Sequence, residues 1–382
     1  MENVKIAELR ERIDQINEEM TKLFAERMEI SRELAKHKKE SKMAVVDKSR
    51  EREVLSKVTQ MVDKDLEGYV RILFSALFDL SKSYQTTATK AQSKLKEKIQ
   101  SAIENTEKIF PTKASVACQG IEGAYSQLAA DKLIPNGDIM YFGQFEGVFR
   151  AVEKGLCKYG ILPIENSSYG SVNEVYDLMR KHHFYIVRSI KLHIGHTLLA
   201  KEGTELRDIE EIFSHEQAIG QCSEFLDALP NIKVVVCENT AVAAKLVAES
   251  ESKNVAAISS KNCAELYGLS VVSDEIQSSE NNYTRFICIS KHMEIYPGAG
   301  KISLMLTTAH RPGALYEVIS KFAALGVNLT KIESRPIAGK DFEFMFYFDL
   351  SASVYSESVL NLLSEFEAGP EQFVFLGSYN DN

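Results

Sequence analysis

The stretch YGILPIENSSYGSVNEVYDL, residues 159–178, decides the fold class of the larger part of this sequence. It opens with an apolar run, YGILPIE, that is typical of a buried β-strand, and polar residues stand at the end of that run. Four more runs of this kind alternate with helical patterns: SVACQG (115–120), VVVCE (234–238), NVAAISS (254–260) and TRFICIS (284–290). Alternating strands and helices predict an α/β fold, and about 175 residues are enough for two lobes with a ligand cleft between them.

The segment before this region differs in composition. Residues 1–110 contain no proline and one glycine, Gly68, while all eight prolines and the other nineteen glycines follow. Because both residues disfavour helix interiors, this segment is expected to be almost wholly helical. One long amphipathic helix is predicted by apolar residues at three-to-four spacing, namely Leu9, Ile13, Ile16, Met20, Leu23, Phe24, Ile30 and Leu34. Further helices are expected over 48–62 and 66–100. Three such helices bury little apolar surface alone, so we expect a homodimer or a higher homo-oligomer.

The segment after YPGAG (296–300) shows a third pattern. In order it predicts strand KISLMLTT, a helix over 314–325, strands NLTKIES and FEFMFYFDL, a helix over 355–367 and strand FVFLGSY. The order βαββαβ is typical of a small ferredoxin-like α+β domain. We therefore predict an all-α domain over 1–90, a helical linker over 91–112, a two-lobed α/β domain over 113–291 and the α+β domain over 300–379.

Composition and charge exclude several classes of protein. The 382 residues carry 45 Lys and Arg against 54 Asp and Glu, with a net +3 in residues 1–100 and −12 in residues 101–382. An acidic chain is poorly suited to nucleic acid. Six single cysteines without a C-x-x-C pair fit neither a zinc ribbon nor a disulfide scaffold. Since no secretory signal and no run of about 18 apolar residues occur, we expect a cytoplasmic protein that does not enter membranes. Gly120 and Gly123 lack the further residues of a nucleotide-binding loop, and no cofactor or metal is expected.

Polar residues of the helical segment fall at helical spacings. Arg27 and Lys38 share a helix face roughly 16 Å apart, and Ser81 and Gln85 are separated by one turn. Any one of them alone is more typical of a solvated face with ion pairs. Together they resemble the all-helical class of chorismate mutase, through the motifs LRERID (9–14), AERMEISRELAKHK (25–38), VVDKSRERE (45–53) and LSKSYQ (80–85).

That resemblance implies a site with three catalytic residues, Lys38, Glu51 and Gln85, and with substrate-binding residues Arg10, Arg27, Asp47, Arg50 and Ser81. In this family chorismate rearranges to prephenate without a nucleophile or a proton transfer. Arginines hold the two carboxylates, Lys38 and Gln85 donate to the ether oxygen as it gains negative charge, and acidic residues accept from the ring hydroxyl. Arg10 lies roughly 42 Å from Lys38 along one helix. If both act in one site, Arg10 must come from a partner chain.

Residues 114–290 resemble prephenate dehydratases. The resemblance rests on GIEGAYSQLAA (120–130), ILPIENSSYGSVNEVYDL (161–178), IFSHEQAIGQC (212–222), ENTAVAA (238–244), AELYGL (264–269) and NYTRF (282–286), in the expected order. It implies two lobes similar to type 2 solute-binding proteins, with prephenate in the groove. Asn166, Gln221 and Thr284 match the catalytic positions. Further candidates for substrate binding are Ser126, Ser167, Ser168, Gly170, Ser214 and Thr240.

The reaction explains these residue types. Prephenate loses CO2 and its ring hydroxyl to give phenylpyruvate, so a Thr284 hydroxyl could donate to the leaving group while amides hold the carboxylates. By residue type alone, Ser, Thr and Asn at strand ends are usually turn or cap residues. His215 fits a capping or core role at least as well as that of a general base. Arg285 follows Thr284 on a strand and should point to the opposite face.

The C-terminal segment resembles an ACT domain, the βαββαβ module that binds amino acids at its dimer interface. HRPGALYEV (310–318) and KIESRPIAG (331–339) match its phenylalanine-binding motifs. The implied regulatory residues are Gly313, Ala314, Leu315, Glu333, Ser334, Arg335 and Pro336. Taken alone, RPG is equally typical of a plain turn before a helix.

The whole sequence thus resembles bifunctional chorismate mutase–prephenate dehydratases, which implies chorismate and prephenate as substrates and feedback inhibition by L-phenylalanine. A non-catalytic ligand sensor with a helical dimerisation domain is the alternative. The presence of both polar sets argues against a sensor, which would need neither Lys38 nor Thr284. A coiled-coil DNA-binding regulator is disfavoured by the acidic C-terminal part and by the absence of a helix-turn-helix signal.

Overall fold

Helices make up the first part of the chain, as its lack of proline predicts. The computed structural model describes residues 2–41, 48–89, 93–229, 231–279, 281–337, 339, 343–369 and 371–381. The first helices are α1 (Glu2–Glu40), α2 (Lys48–Thr59), α3 (Glu67–Thr89) and α4 (Lys94–Asn105). The first two confirm the prediction, but a single helix over 66–100 is wrong. α4 has its own start, because the Ser93 hydroxyl accepts a hydrogen bond from the Lys96 amide at 3.0 Å.

The predicted apolar face of α1 is largely exposed in the single chain. Leu9, Ile13, Leu23 and Ile30 are between 55% and 64% exposed. Exposed apolar side chains at helical spacing in such number are typical of a surface that another chain covers.

Two sheets form the α/β part, and the five strands predicted there are confirmed. The larger sheet contains β1 (Ser115–Gln119), β2 (Asp138–Phe142), β3 (Tyr159–Asn166), β4 (Gly170–Ser171), β5 (Tyr185–His193), β11 (Tyr283–Ser290), β12 (Lys301–Thr307), β13 (Asn328–Pro336), β14 (Phe344–Ser351) and β15 (Phe373–Asp381). The smaller sheet contains β6 (Thr197–Ala200), β7 (Glu211–His215), β8 (Lys233–Cys237), β9 (Val255–Ser259) and β10 (Ser270–Ser273). The orders are β13-β14-β12-β15-β5-β11-β3-β1-β2, with β4 beside β3, and β10-β6-β9-β7-β8.

Helices connect these strands. They are α5 (Tyr125–Leu133), α6 (Phe145–Glu153), α7 (Asn173–Lys181), α8 (Glu216–Gln221), α9 (Ser223–Asp227), α10 (Thr240–Glu249), α11 (Asn262–Tyr267), α12 (Ala314–Ala324) and α13 (Glu357–Ala368), with a 3₁₀ turn at Leu206–Asp208. Ala117 faces one apolar core of the larger sheet, and its neighbours Val116 and Cys118 face the other. Both faces are therefore covered, which explains why these strands read as continuous apolar runs. Within the described ranges, none of the helices is long and apolar enough to cross a bilayer.

The chain passes twice between the two sheets, through residues 194–196 and 274–282. These crossings are hydrogen-bonded to each other, since the Ile194 amide donates to the Asn282 carbonyl at 2.8 Å and the Ile276 amide to the His196 carbonyl at 2.9 Å. Side chains at the crossings therefore lie where both sheets end, the usual position of a ligand site in this kind of fold.

The C-terminal elements follow the predicted order βαββαβ. Its four strands extend the larger sheet, because β15 pairs in parallel with β5 through Asn380–Arg188 and Asp381–Ser189. The contacts group the chain into two units: residues 1–97, 308–327 and 355–371, and residues 98–307, 328–354 and 372–382. The strands β12 to β15 thus belong with the α/β part, and the domain boundaries drawn from the sequence stay a prediction.

Candidate active sites

In the helical unit, α1 and α3 bring Arg27 and Ser81 together. The Arg27 guanidinium donates to the Ser81 hydroxyl and to the Leu77 carbonyl, the latter at 3.0 Å, and lies 5.9 Å from the centre of the Phe78 ring. Partial burial lowers the pKa of Arg27 from its ordinary value, which lies far above neutral pH. This cation is thus held in place by α3, as binding of a carboxylate requires.

Other predicted residues of this site lie on α1, α2 and α3. Ser81 and Gln85 are buried one turn apart on α3, and Lys38 is half-buried near the end of α1. Glu51 of α2 pairs with Lys82 of α3 at 3.1 Å, an ion pair that the sequence did not reveal. Arg50 pairs with Glu53 at 2.8 Å along α2. Asp47 lies outside the described residues.

Arg10 lies apart from this group. It is exposed on α1, which continues without interruption from Glu2 to Glu40. A continuous helix places Arg10 roughly 42 Å along the axis from Lys38. One chain therefore does not bring the two together, as the spacing predicted.

In the α/β unit, neighbouring strands bring Asn166 and Thr284 together. The two residues are partners in the pairing of β3 with β11, and Asn166 Nδ2 donates to Thr284 Oγ1 at 3.0 Å. Asn166 Oδ1 accepts from the backbone amides of Ser168 and Tyr169, both at 2.9 Å. These two bonds fix which end of the amide faces Thr284. Since Thr284 Oγ1 accepts from Asn166, its own proton remains for donation elsewhere.

Gln221 joins the same cluster through Asn282. Gln221 Nε2 donates to Asn282 Oδ1 at 3.3 Å, and Asn166 Nδ2 donates to that oxygen at 2.8 Å. At its other end, Gln221 Oε1 lies 2.5 Å from Nε2 of His196. Burial lowers the pKa of His196, so the imidazole is neutral at neutral pH. The three predicted catalytic residues of this unit thus form one hydrogen-bonded cluster.

His196 and Asn282 were given no role from the sequence. Asn282 stands inside the motif NYTRF, directly before the strand of Thr284, while His196 precedes β6 in a stretch without any motif. Both lie on the crossings between the two sheets, so they could have been identified as site residues only from the topology of the fold.

The second-rank candidates are more dispersed. The hydroxyl of Ser167 forms hydrogen bonds with the end of the second crossing. It accepts from the Tyr283 amide at 2.9 Å and donates to the Asn281 carbonyl at 2.7 Å. Ser214 is fully buried and donates to the Ile258 carbonyl at 2.8 Å. Ser126 and Thr240 lie in the first turns of α5 and α10, Ser168 lies in the turn after β3, and Gly170 begins β4. His215 caps α8, since its Nδ1 accepts from the Gln217 amide at 3.3 Å.

Arg285 faces away from Thr284, as strand alternation predicted. It is 2% exposed and lies between Glu165 at 2.5 Å and Asp349 of β14 at 2.6 Å. Burial disfavours the charge of Glu165, yet Arg285 and Lys331 hold the pKa of that carboxyl below its ordinary value. The side chains next to Asn166 and Thr284 therefore form a buried ionic group.

The predicted regulatory residues lie on two elements. Gly313 precedes α12 with φ +84°, a left-handed conformation suited to glycine, followed by buried Ala314 and half-buried Leu315. On β13, Glu333 accepts from the Ser171 hydroxyl and Arg335 binds Asp177 through two nitrogens at 3.0 and 2.7 Å. Ser334 and Pro336 are exposed on that strand.

Comparison with known proteins connects both sites to known activities. Residues 9–86 match the family model of chorismate mutase type II, and residues 116–294 match that of prephenate dehydratase. The sequence is 33% identical to the bifunctional chorismate mutase/prephenate dehydratase of Escherichia coli (strain K12), over 97% of this chain and 95% of that protein. It is 37% identical to the chloroplastic arogenate dehydratase/prephenate dehydratase 2 of Arabidopsis thaliana, over 70% of this chain and 73% of that protein.

A solved structure is similar to about two thirds of the chain. The prephenate dehydratase of Arthrobacter aurescens, in complex with L-Phe, superposes with a TM-score of 0.64 at 29% identity. The match covers 69% of this chain and 89% of that protein.

Proposed function

Since the chain belongs to the family of bifunctional chorismate mutase/prephenate dehydratases, we propose which of its residues perform each of the two reactions. The protein converts chorismate to prephenate and prephenate to phenylpyruvate, successive steps of L-phenylalanine biosynthesis. All six cysteines are free thiols, which supports a reducing cytoplasmic location.

For the mutase, the proposed site is a cationic clamp on the helices. Arg27, held by Ser81 and Leu77, binds one carboxylate of chorismate, and Arg50 assists in holding the dianion. Lys38 and Gln85 donate to the ether oxygen as the C–O bond lengthens, while Glu51 and Asp47 accept from the ring hydroxyl. The clamp holds the compact conformer in which the new C–C bond forms.

The complete mutase site requires a second copy of the chain. Two observations support a homodimer: the exposed apolar face of α1, including Leu23 at 64%, and the distance between Arg10 and Lys38 on one helix. Packing of α1 against its copy would cover the apolar face. It would also bring the partner subunit's Arg10 to a site that holds Lys38.

For the dehydratase, the polarity of the Asn166–Thr284 hydrogen bond carries the proposal. As prephenate loses its carboxyl group as CO2, the electron pair of the broken C–C bond completes the aromatic ring, and the ring C–O bond breaks. The Thr284 hydroxyl donates a hydrogen bond to the departing hydroxide, which takes one proton from the solvent and leaves as water. Asn166 makes Thr284 a donor toward substrate by occupying its oxygen. Gln221 orients a carboxylate of prephenate.

The role of Thr284 is tested by two substitutions. Thr284→Val removes the donor and should lower the dehydratase kcat by about 10²–10³-fold, the usual effect of losing one donor to a developing anion. Thr284→Ser keeps the hydroxyl and should stay within about tenfold of the wild type. Chorismate consumption by the same chain serves as an internal standard.

A matched control is Thr204→Val. The Thr204 hydroxyl donates to the Lys253 carbonyl at 3.1 Å, outside the cluster, so this variant should keep its dehydratase rate. Full dehydratase activity of Thr284→Val would contradict the proposed role.

We infer further that residues 300–379 form an ACT domain through which L-phenylalanine inhibits the dehydratase. Support comes from the βαββαβ order, from the conformation of Gly313 and from the L-Phe complex of the related dehydratase. The contacts of β13 suggest a route. Lys331 lies 2.8 Å from Glu165, the residue before Asn166, and Glu333 bonds Ser171 of β4, which pairs with β3. A ligand bound at Glu333–Pro336 would thus act on the strand that holds Asn166.

A further inference from the structure

His196 occupies a distinctive place in the α/β unit. It stands on the first crossing between the sheets and is 2% exposed. Its amide donates to Gln277 Oε1 at 2.8 Å and its carbonyl accepts from the Ile276 amide at 2.9 Å, so the second crossing holds its backbone. Its ring Nε2 lies 2.5 Å from Gln221 Oε1. We propose that His196 is a positioning residue of the dehydratase that holds the Gln221 amide in its orientation.

The orientation follows from the chain of hydrogen bonds. The amides of Ser168 and Tyr169 occupy Asn166 Oδ1, so Asn166 presents its nitrogen to Asn282 Oδ1. Asn282 Oδ1 then also accepts from Gln221 Nε2, which leaves Gln221 Oε1 facing His196. An oxygen there requires a donor. The network therefore assigns the hydrogen of the neutral His196 imidazole to Nε2.

The rotated orientation of the Gln221 amide is disfavoured at the end that faces Asn282. Rotation by half a turn would place Gln221 Oε1 against Asn282 Oδ1, two acceptors without a proton between them. Without the His196 donor, Gln221 Oε1 would lose its hydrogen bond while Asn282 alone held the other end. The amide would then leave the conformation that binds substrate. Loss of the His196 donor would therefore affect the orientation of bound prephenate more than the stability of the fold.

The proposal differs from a purely structural role in its dependence on one proton. A core histidine that only fills space can be replaced by an apolar residue of similar size without loss of activity. A positioning histidine needs a donor near Nε2, which glutamine supplies and leucine does not. Its effect must also vanish when Gln221 is absent, because it acts through that residue.

The experiment measures prephenate turnover by the full-length protein with five variants. His196→Leu should lower the dehydratase kcat about ten- to a hundredfold, the effect of one lost hydrogen bond on a buried amide. His196→Gln should stay within about threefold of the wild type because the donor is kept. In a Gln221→Ala background, His196→Leu should cause no further loss. His292→Gln, an exposed histidine outside the cluster, serves as the control.

Equal losses in His196→Leu and His196→Gln would overturn the proposal, as would losses that multiply in the double variant. If His196→Leu does not fold, His196→Asn replaces it, because its shorter side chain does not reach Gln221. The inference rests on the proposed role of Gln221. A fully active Gln221→Ala variant would refute that role, whereas an inactive Gln221→Ala beside a fully active His196→Leu would refute only the role of His196.

Discussion

Two adjacent residues of β11, Thr284 and Arg285, point to opposite faces of the sheet and have different roles. Thr284 joins the polar cluster, while Arg285 on the other face binds Glu165 and Asp349. Asp349 is fully buried and also accepts from the Ser303 hydroxyl. Without Asp349, the two cations Arg285 and Lys331 would share the single carboxylate of Glu165, and an excess of buried charge is strongly destabilising.

Asp349→Asn should therefore lower the free energy of unfolding by about 3–5 kcal/mol, because Arg285 stays charged in a buried site. Denaturant unfolding monitored by circular dichroism measures this change. Glu205→Gln is the matched control. Glu205 pairs with Arg207 at 2.9 Å, but both side chains are largely exposed. Loss of the Glu205 charge should therefore change the free energy of unfolding by less than about 1 kcal/mol. A similar small change for Asp349→Asn would contradict the importance of the buried pair.

The proposed catalytic cluster was only partly predictable from the sequence. Asn166, Gln221 and Thr284 stand in distinct motifs, and the structure joins them. Strand alternation was sufficient to place Arg285 on the opposite face. His196 was not predictable, because a single histidine before a short strand has no periodicity, and its partners Gln221 and Gln277 lie 25 and 81 positions away. Its importance depends on the crossing of two sheets, which no local pattern encodes.

At the level of elements, local signals predicted most strands and helices but missed one helix end. The strand predictions succeeded because buried strands of a covered sheet are continuous apolar runs. The pattern over 66–100 looked like one helix, since it contains neither proline nor an interior glycine beyond Gly68. Ser93 starts a new helix by capping it, and the glutamate that accepts from its hydroxyl, Glu367, lies on α13, far along the sequence.

The loop before α12 offers a prediction for feedback. Gly313 has φ +84°, so a branched residue there strains the turn by about 1–3 kcal/mol and should disturb the proposed phenylalanine site. Gly313→Val should raise the phenylalanine concentration for half-maximal inhibition several-fold or abolish inhibition. Dehydratase kcat without phenylalanine should remain similar to that of the wild type. Titration of both activities with L-phenylalanine measures this.

Gly143→Ala is the control for that titration, since a Cβ at Gly143 meets no atom within 4 Å. This variant should be inhibited like the wild type. Unchanged inhibition of Gly313→Val would place the phenylalanine site elsewhere.

At the level of the whole molecule, a segment that is continuous in sequence does not pack as a separate domain. The C-terminal segment reads as one βαββαβ module, yet its strands continue the sheet of the dehydratase through β15 and β5. Asp349 of β14 completes the ionic group around Arg285. Deletion of the module would therefore remove a partner of a buried charge, so point substitutions separate regulation from catalysis more cleanly than truncation.

The mutase site raises the last question at this scale, whether one chain suffices. Arg10 and Lys38 lie on one uninterrupted helix, roughly 42 Å apart. One site can therefore contain both residues only if Arg10 comes from a partner chain. Arg10→Ala and Lys38→Ala should each be nearly inactive as mutases. In an equal mixture, half of the dimers are mixed, and each mixed dimer has one intact site of two. Activity should therefore return to about one quarter of the wild-type rate.

Mixing Lys38→Ala with Gln85→Ala is the matched control, since both residues are proposed to act from the same chain. That mixture should recover nothing, because every site lacks one of the two donors. The measurement is chorismate consumption after subunit exchange, with exchange verified by two different affinity tags. No recovery in the first mixture would show that Arg10 does not act across the interface. Recovery in both would show that the site is divided between chains in a different way, with Lys38 and Gln85 on opposite sides.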